Sequence, residues 1–315
     1  MSEAQMSEAR VFEPILHHYP NSPFAEKVRL MLGFKGVAWR SVTIPRVLPK
    51  PDLIPLTGGY RKTPVMQFGA DIFCDSACIA RELERRFPGP ALFPGGHGGR
   101  LAIMGAWADS RLFLEVVGVV FGTAADSIPA DLKEDRYRFS DGMIDLDRFK
   151  ADQPYLRSQV RSHLFWIEHA LDGGRPFLDG AVPTYADFCF YAPLWMLRHR
   201  AADLRAMDDM PQVIAWMDRM AALGHGTPAD LDPKAALAIA KDAAPADVTL
   251  AHPESPDGLS PGVPVTVAAD DYGKDAVAGR LVALSAQRIV IRRADPLVGE
   301  VNVHFPRSGY RLAHD

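Results

Sequence analysis

The segment 11–34 constrains the fold most. Residues 11–19 read as a strand, Pro20-Asn21-Ser22-Pro23 closes it with a turn, and residues 24–34 place Val28, Leu30, Met31 and Leu32 on the apolar side of a helix. A strand that passes through so tight a turn into a helix sets up a mixed α/β layer. Residues 38–44 supply a second strand; Pro45, Pro49, Pro51 and Pro55 then interrupt regular structure, and Gly58-Gly59 leads to a third strand at 64–68. Gly69-Ala70 is a hairpin turn into 72–74, after which 76–87 returns to helical spacing with Ile79, Leu83 and Phe87 at intervals of four. The order is β-α-β, an irregular stretch, then β-β-α.

Past a Pro/Gly-rich break at 88–99 the pattern is helical to about residue 223, in segments at 101–121, 134–149, 154–171, 185–199 and 210–222. Thr184 and Asp187 form a capping-box-like start, with Asp in place of the usual Glu or Gln. The helix they open is apolar nearly all round and belongs at the centre of a bundle. From 245 onward Pro253, Pro256, Pro261 and Pro264 mark a linker, and short strands alternate at 265–267, 279–284, 288–291 and 300–305. This reads as a separate small all-β unit of a size that suits an SH3-like barrel. The expected division is a disordered start at 1–10, an α/β unit at 11–90, an all-helical unit at 96–225, a linker with a possible helix at 226–262, and the β unit at 263–315.

The 315 residues exceed one core of the usual size, and 48% apolar with 23% charged residues suits a folded chain. Cys74, Cys78 and Cys189 form neither a CxxC nor a metal-ligand spacing, so a disulfide framework and a zinc module both drop out and a cytoplasmic location is expected. There is no secretory leader pattern, and no apolar run approaches the roughly 20 residues of a membrane span. Residues 1–95 hold 12 basic and 9 acidic groups, against 7 and 9 in 247–315. A basic excess of three in the first third is too small for nucleic-acid binding, yet it suits a small anionic ligand, and the tail is net acidic.

Three local motifs stand out. Ser22 precedes a proline at the first helical position, which puts its hydroxyl at the positive end of a helix, where it is an N-cap at the least. Thr63-Pro64-Val65 reads on its own as a strand opened by proline. Asp75-Ser76 opens a helix and would cap it.

Taken together, the run from Leu16 through His17-His18-Tyr19 and Ser22-Pro23-Phe24-Ala25 to Leu30, with Lys62-Thr63-Pro64-Val65-Met66 and Asp75-Ser76, resembles the glutathione transferase superfamily over about residues 11–225. Pro183-Thr-Tyr-Ala-Asp187 is similar to that family's buried capping motif. Residues 245–315 match nothing in its core pattern. The resemblance implies a thioredoxin-like domain followed by an all-α bundle, glutathione as co-substrate with no metal, a homodimer, and conjugation of hydrophobic electrophiles, a detoxification chemistry.

In that frame Ser22 donates to the glutathione thiolate, which the helix dipole also favours. Thr63, with a family-typical cis bond to Pro64, and Val65 align the tripeptide backbone as a short added strand. Asp75 and Ser76 hold the γ-glutamyl end. Arg46, Lys50 and Lys62 are candidates for the glycyl carboxylate, and Tyr19, Phe24, Trp107 and Arg111 for the electrophile pocket. A core role for Trp107 and a surface role for Arg111 fit the residues equally well, and His17, His18 and Cys74 read as packing residues. Members with cysteine at the position of Ser22 act as thiol reductases; serine here and Ala25 at the second redox position exclude thiol-disulfide exchange by this turn. The competing reading keeps the fold but makes the chain a non-catalytic glutathione-binding or protein-interaction module whose β unit supplies the function.

Overall fold

The computed structural model describes residues 13–248 and 258–315. The expected disordered start at 1–10, Val11, and the linker prolines Pro253 and Pro256 lie outside the described residues. β1 (Ile15–His18) runs parallel to β2 (Ala38–Thr43) and antiparallel to β3 (Val65–Phe68), which pairs with β4 (Asp71–Cys74). α1 (Pro23–Phe34) follows β1, the single turn α2 (Ile54–Thr57) lies in the proline-rich stretch, and α3 (Ser76–Arg86) follows β4.

The period of two in these strands sorts their side chains to opposite faces of the sheet. Leu16, Met66 and Phe73 join one core with α1, α3 and the helical domain. Their neighbours Ile15, Val65 and Ile72 join a second core on the other face. Both faces are therefore covered, as a sheet with parallel pairing requires.

The chain then enters the bundle. α4 (Gly98–Trp107), a π-helical stretch at Ala108–Leu112 and α5 (Phe113–Thr123) make one continuous helical path. The single helix expected at 134–149 is instead two, α6 (Ala130–Phe139) and α7 (Leu146–Ala151). The break follows from local chemistry: Gly142 takes φ +78°, and the Ser140 hydroxyl accepts from Ile144 N at 2.7 Å, competing with helical pairing. α8 (Gln153–Ala170), α9 (Tyr185–Arg200) and α10 (Pro211–Ala221) complete the bundle. α9 is its buried centre, and the Asp187 carboxylate at its start accepts from Thr184 N, Leu178 N and the Trp216 indole at 2.8–2.9 Å. Lys27 of α1, fully buried, pairs with Asp109 of the π stretch at 2.6 Å and fastens the α/β domain to the bundle.

The tail corrects the expectation of a separate barrel. β5 (Thr227–Asp230) first adds a strand parallel to β2, and α11 (Pro233–Lys241), capped by Asp232, packs Ala236, Leu237 and Ala240 into the second core. β6 (Pro264–Ala269), β7 (Val277–Leu284), β8 (Arg288–Asp295) and β9 (Gly299–Pro306) form an antiparallel meander, and β10 (Tyr310–His314) returns to pair with β6. β9 then runs parallel to β4, with Asp71 opposite Asn302 and Phe73 opposite His304. The result is one ten-stranded sheet in the order β10-β6-β7-β8-β9-β4-β3-β1-β2-β5.

The physical reason is the free edge of β4. An α/β domain ending there would leave unpaired backbone groups, and β9 covers them. Val301, Val303 and Phe305 enter the same core as Ile72, so the tail has no core of its own to keep it apart. Polar side chains lock the seam. Asn302 donates to Asp71 Oδ1 at 2.9 Å, His304 Nε2 bonds the same oxygen at 3.0 Å, and the His304 ring stacks on Phe73 at 4.1 Å.

Candidate active site

Ser22 ends the turn after β1 and caps α1. Its backbone is extended (φ −87°, ψ 122°), and its hydroxyl oxygen accepts from Ala25 N at 3.1 Å. That contact uses a lone pair and leaves the hydroxyl proton free to donate to a group at the positive end of α1. The Thr63–Pro64 bond is cis, and Thr63 and Ser22 both line an open cleft between the sheet and the bundle.

The cleft is bounded by Tyr19 and Ser22 of the turn, Phe24 of α1, Phe113 and Val117 of α5, and Met196 of α9. Phe24 packs on Phe113 with ring centroids 4.6 Å apart. Six cationic side chains also line it, Arg46, Lys50, Arg61, Lys62, Arg136 and Arg200, and no carboxylate does. Lys50 is nearly fully buried; its ammonium donates to the Arg61 carbonyl at 2.8 Å and lies 3.4 Å from the Thr63 hydroxyl. Burial, with the nearby charges of Arg136 and Arg61, pushes its pKa down to about 8.

The structure thus brings together Tyr19, Ser22, Phe24, Arg46, Lys50, Lys62 and Thr63 of the residues expected from sequence. Pro64, Val65, Asp75 and Ser76 are not among the residues that line this cleft. Asp75, at φ +75°, caps α3 through Ala77 N at 2.8 Å and accepts the Tyr310 hydroxyl of β10 at 3.0 Å. Two expected pocket residues lie elsewhere. Trp107 stacks with Phe190 and meets His163 edge-on inside the bundle, and Arg111 pairs with Glu115 one turn along. Their helix carries the right region, but the π-helical turn at 108–112 sets which of its side chains face the cleft, and those are Phe113 and Val117. His17 and His18 point into hydrogen bonds with Gln67, Ser41 and Arg29, away from the cleft.

The loop between β6 and β7 reaches the site from the tail. Asp271 pairs with Lys62 at 2.5 Å and Asp275 with Arg61 at 2.8 Å. Tyr272 lines the cleft, with Lys62 4.2 Å from its ring centre and Phe139 of α6 edge-on at 5.5 Å. Gly273, at φ +60°, donates its N–H to the Phe139 carbonyl at 2.8 Å, and an added Cβ would sit 2.5 Å from that ring. Tyr272, Arg61, Arg136, Arg200 and Phe139 carried no sequence signal, since their convergence depends on how the tail and the bundle pack on the sheet. Among the described residues no cluster of His, Cys, Asp or Glu could hold a metal ion, and no helix is long and apolar enough to cross a membrane.

The sequence matches the family described as Glutathione S-transferase, N-terminal domain over residues 16–91, and Glutathione S-transferase, C-terminal domain over 128–219. A GST-like protein from Pseudomonas syringae is 43% identical, with 96% of this chain and 99% of that one covered at a TM-score of 0.77. The chain belongs to the glutathione S-transferase superfamily.

Two further members of the superfamily share its fold. A glutathione S-transferase from Rhodospirillum rubrum F11 is 23% identical over 65% of this chain and 86% of its own, at a TM-score of 0.53. The Tau class glutathione S-transferase MiGSTU from mango, Mangifera indica, is 18% identical over 67% and 89%, at 0.51. Coverage of 96% means that the alignment with the Pseudomonas syringae GST-like protein extends into the C-terminal strands, against 65–67% of the chain for the other two. No sequence among the curated proteins matches the chain.

Proposed function

We propose that the protein is a glutathione S-transferase-like enzyme in which the Ser22 hydroxyl, at the N-terminus of α1, stabilises the glutathione thiolate for attack on an electrophile seated against Phe24, Phe113 and Val117. The observation that carries this reading is the position of Ser22. It caps α1 with its oxygen, keeps its proton to donate, and lines the same cleft as Thr63 of the cis Thr63–Pro64 bond. A free thiol with a pKa of roughly 8.5 is mostly protonated at neutral pH, so a donor and a helix dipole at the sulfur raise the reactive fraction.

The rest of glutathione has fitting partners. Thr63 offers its backbone to the cysteinyl unit, Asp75 and Ser76 answer the γ-glutamyl ammonium and carboxylate, and the buried Lys50 ammonium beside Thr63 answers the glycyl carboxylate. Lys62 is already paired with Asp271 and serves the site through charge balance. The protein works as a homodimer in this proposal, supported by exposed Ile103 of α4 and Phe165 and Trp166 of α8.

Ser22→Ala tests the mechanism. The expected result is at least a tenfold loss of turnover with glutathione affinity retained in calorimetry. Glutathione that fails to bind at millimolar concentration, or conjugation unchanged in Ser22→Ala, removes this reading. The tail loop on the cleft favours one second reading, a glutathione-binding module without turnover, which predicts binding but no conjugation across a broad electrophile panel.

A further inference from the structure

Charge in the cleft is unevenly answered. On the side of Thr63, the β6–β7 loop neutralises Lys62 and Arg61 through Asp271 and Asp275. Arg46 after β2, Arg136 on α6 and Arg200 at the end of α9, from three separate parts of the chain, line the same cleft, with Arg61 and Arg136 both against the Phe139 ring. Among the described residues no carboxylate pairs with Arg46 or Arg200; Arg200 donates only to the Asn21 carbonyl at 3.4 Å. Arg136 donates to the Arg46 carbonyl at 3.1 Å and has the Asp135 carboxylate at 3.9 Å as its sole acidic neighbour. Arg200 is partly withdrawn from water and feels the charge of Arg46, both of which lower its pKa.

Arg136 and Arg200 are partly buried and Arg46 is exposed, and like charges brought together there repel one another, a repulsion that a bound anion relieves. The same tail that supplies acids to Lys62 and Arg61 supplies none here. A glycyl carboxylate at Lys50 would use one cation and leave Arg46 and Arg200 without a carboxylate partner among the described residues and Arg136 with Asp135 at 3.9 Å. Beside them lies the apolar wall of Phe113, Val117 and Phe121. Guanidinium groups bind carboxylates, phosphates and sulfonates in a two-pronged fashion that a neutral ligand cannot reciprocate.

We infer that the second substrate of this cleft is an organic acid, whose apolar electrophilic body rests on the α5 wall while its anionic group is held by Arg46, Arg136 and Arg200. This rests on the reading of the cleft as a transferase site and narrows its substrate class. The acid group sets orientation as well as affinity: anchored at the arginines, the body of the molecule extends toward Ser22 and the sulfur bound there.

The test uses a matched pair, 4-chloro-3-nitrobenzoate and its methyl ester, which share the aromatic body and differ in the negative charge. Equilibrium binding to the full chain is measured without glutathione, at low salt and at 1 M NaCl, and glutathione is titrated separately. The expected result is at least tenfold tighter binding of the acid, an advantage reduced at 1 M NaCl and lost in the double variant Arg136→Gln/Arg200→Gln. Equal affinities for acid and ester, an acid preference that survives in the double variant, or no binding of either at millimolar concentration overturns the inference. The wild-type comparison stands alone if the double variant does not fold. Acid preference without any glutathione binding would keep the anion site and remove the transferase reading, whereas glutathione binding without acid preference would do the reverse.

Discussion

Tyr310 of the last strand donates its hydroxyl to Asp75 Oδ2 at 3.0 Å, while Asp75 Oδ1 accepts from Ala77 N at 2.8 Å. The tail therefore holds the carboxylate that opens α3 in one orientation. Each carboxylate oxygen keeps a lone pair, so a bound ammonium still has an acceptor. Tyr310→Phe should cost about 1.5–3 kcal/mol of stability, as a hydrogen bond to a charged group does. It should also weaken glutathione binding several-fold by freeing the carboxylate to turn. Urea unfolding and calorimetry measure the two effects, and an unchanged glutathione affinity would show that Tyr310 has no part in the site.

Asp71 is the acid in the seam between β4 and β9. Burial pushes its carboxyl up, but hydrogen bonds from His304, Asn302 and Ala246 N outweigh that and hold its pKa below the ordinary value. A carboxylate with a depressed folded pKa stabilises the fold above its unfolded pKa, and that share is lost as pH falls through the folded one. Asp71→Ala leaves Asn302 and the His304 ring without their shared acceptor. We expect a loss of about 3 kcal/mol and loosening of β6–β10 relative to β1–β4. Hydrogen exchange that stays equally slow in β9 of the variant would refute a locking role for Asp71.

Residues whose role is local were legible in the sequence, and those whose role depends on packing were not. The Ser22 cap, the Thr63–Pro64 segment and the Thr184 start of α9 each follow from neighbours within a few positions, and all three stand where the pattern put them. Of the tail strands, β6–β9 were also visible from their alternation, whereas β10 was not. What alternation does not encode is which edge a strand joins, so β9 against β4 and the consequent placing of Tyr272 and Tyr310 at the site were missed. β5 was invisible for a different reason: in Thr-Pro-Ala-Asp only Thr favours a strand, and its four residues are exposed, held by backbone pairing to β2 and by the Arg40 side chain on the Asp230 carbonyl.

Lys50 gives a protonation signature. Its pKa of about 8 lies below the ordinary lysine value, so the fold disfavours the charged form; the penalty is fully present below pH 8 and fades as pH rises toward the unfolded pKa of about 10.4. A carboxylate bound at the ammonium would reverse that shift. At pH 8 the binding of S-methylglutathione, which has no ionisable thiol, should take up about half a proton, and its affinity should fall at higher pH. Calorimetry in buffers of different ionisation enthalpy reads the uptake directly. Lys50→Met should abolish it, and uptake that persists in that variant assigns the proton to another group.

Acid should unfold the protein through His17 and His18. Burial lowers both to a pKa of about 4, for His17 against the raising effect of its bond to Gln67 and for His18 with help from the charge of Arg29. The hydrogen bonds explain why neither accepts a proton readily. Gln67 Nε2 donates to two carbonyls, so its Oε1 takes the Nε2–H of His17 at 2.8 Å, and the buried Nδ1 faces no acceptor for a second proton. Arg29 donates to His18 Nδ1 at 3.0 Å and has no lone pair to offer in return. The unfolded chain binds more protons wherever pH lies between the folded and unfolded values. Stability is therefore intact above pH 6.5 and falls as pH drops from 6.5 to 4, by about 2–3 kcal/mol per histidine. His17→Gln should flatten this slope by about half in urea unfolding series at pH 7, 6, 5 and 4.5. A stability that stays level across that window, in the wild type, would show that the two imidazoles reach solvent and charge without cost.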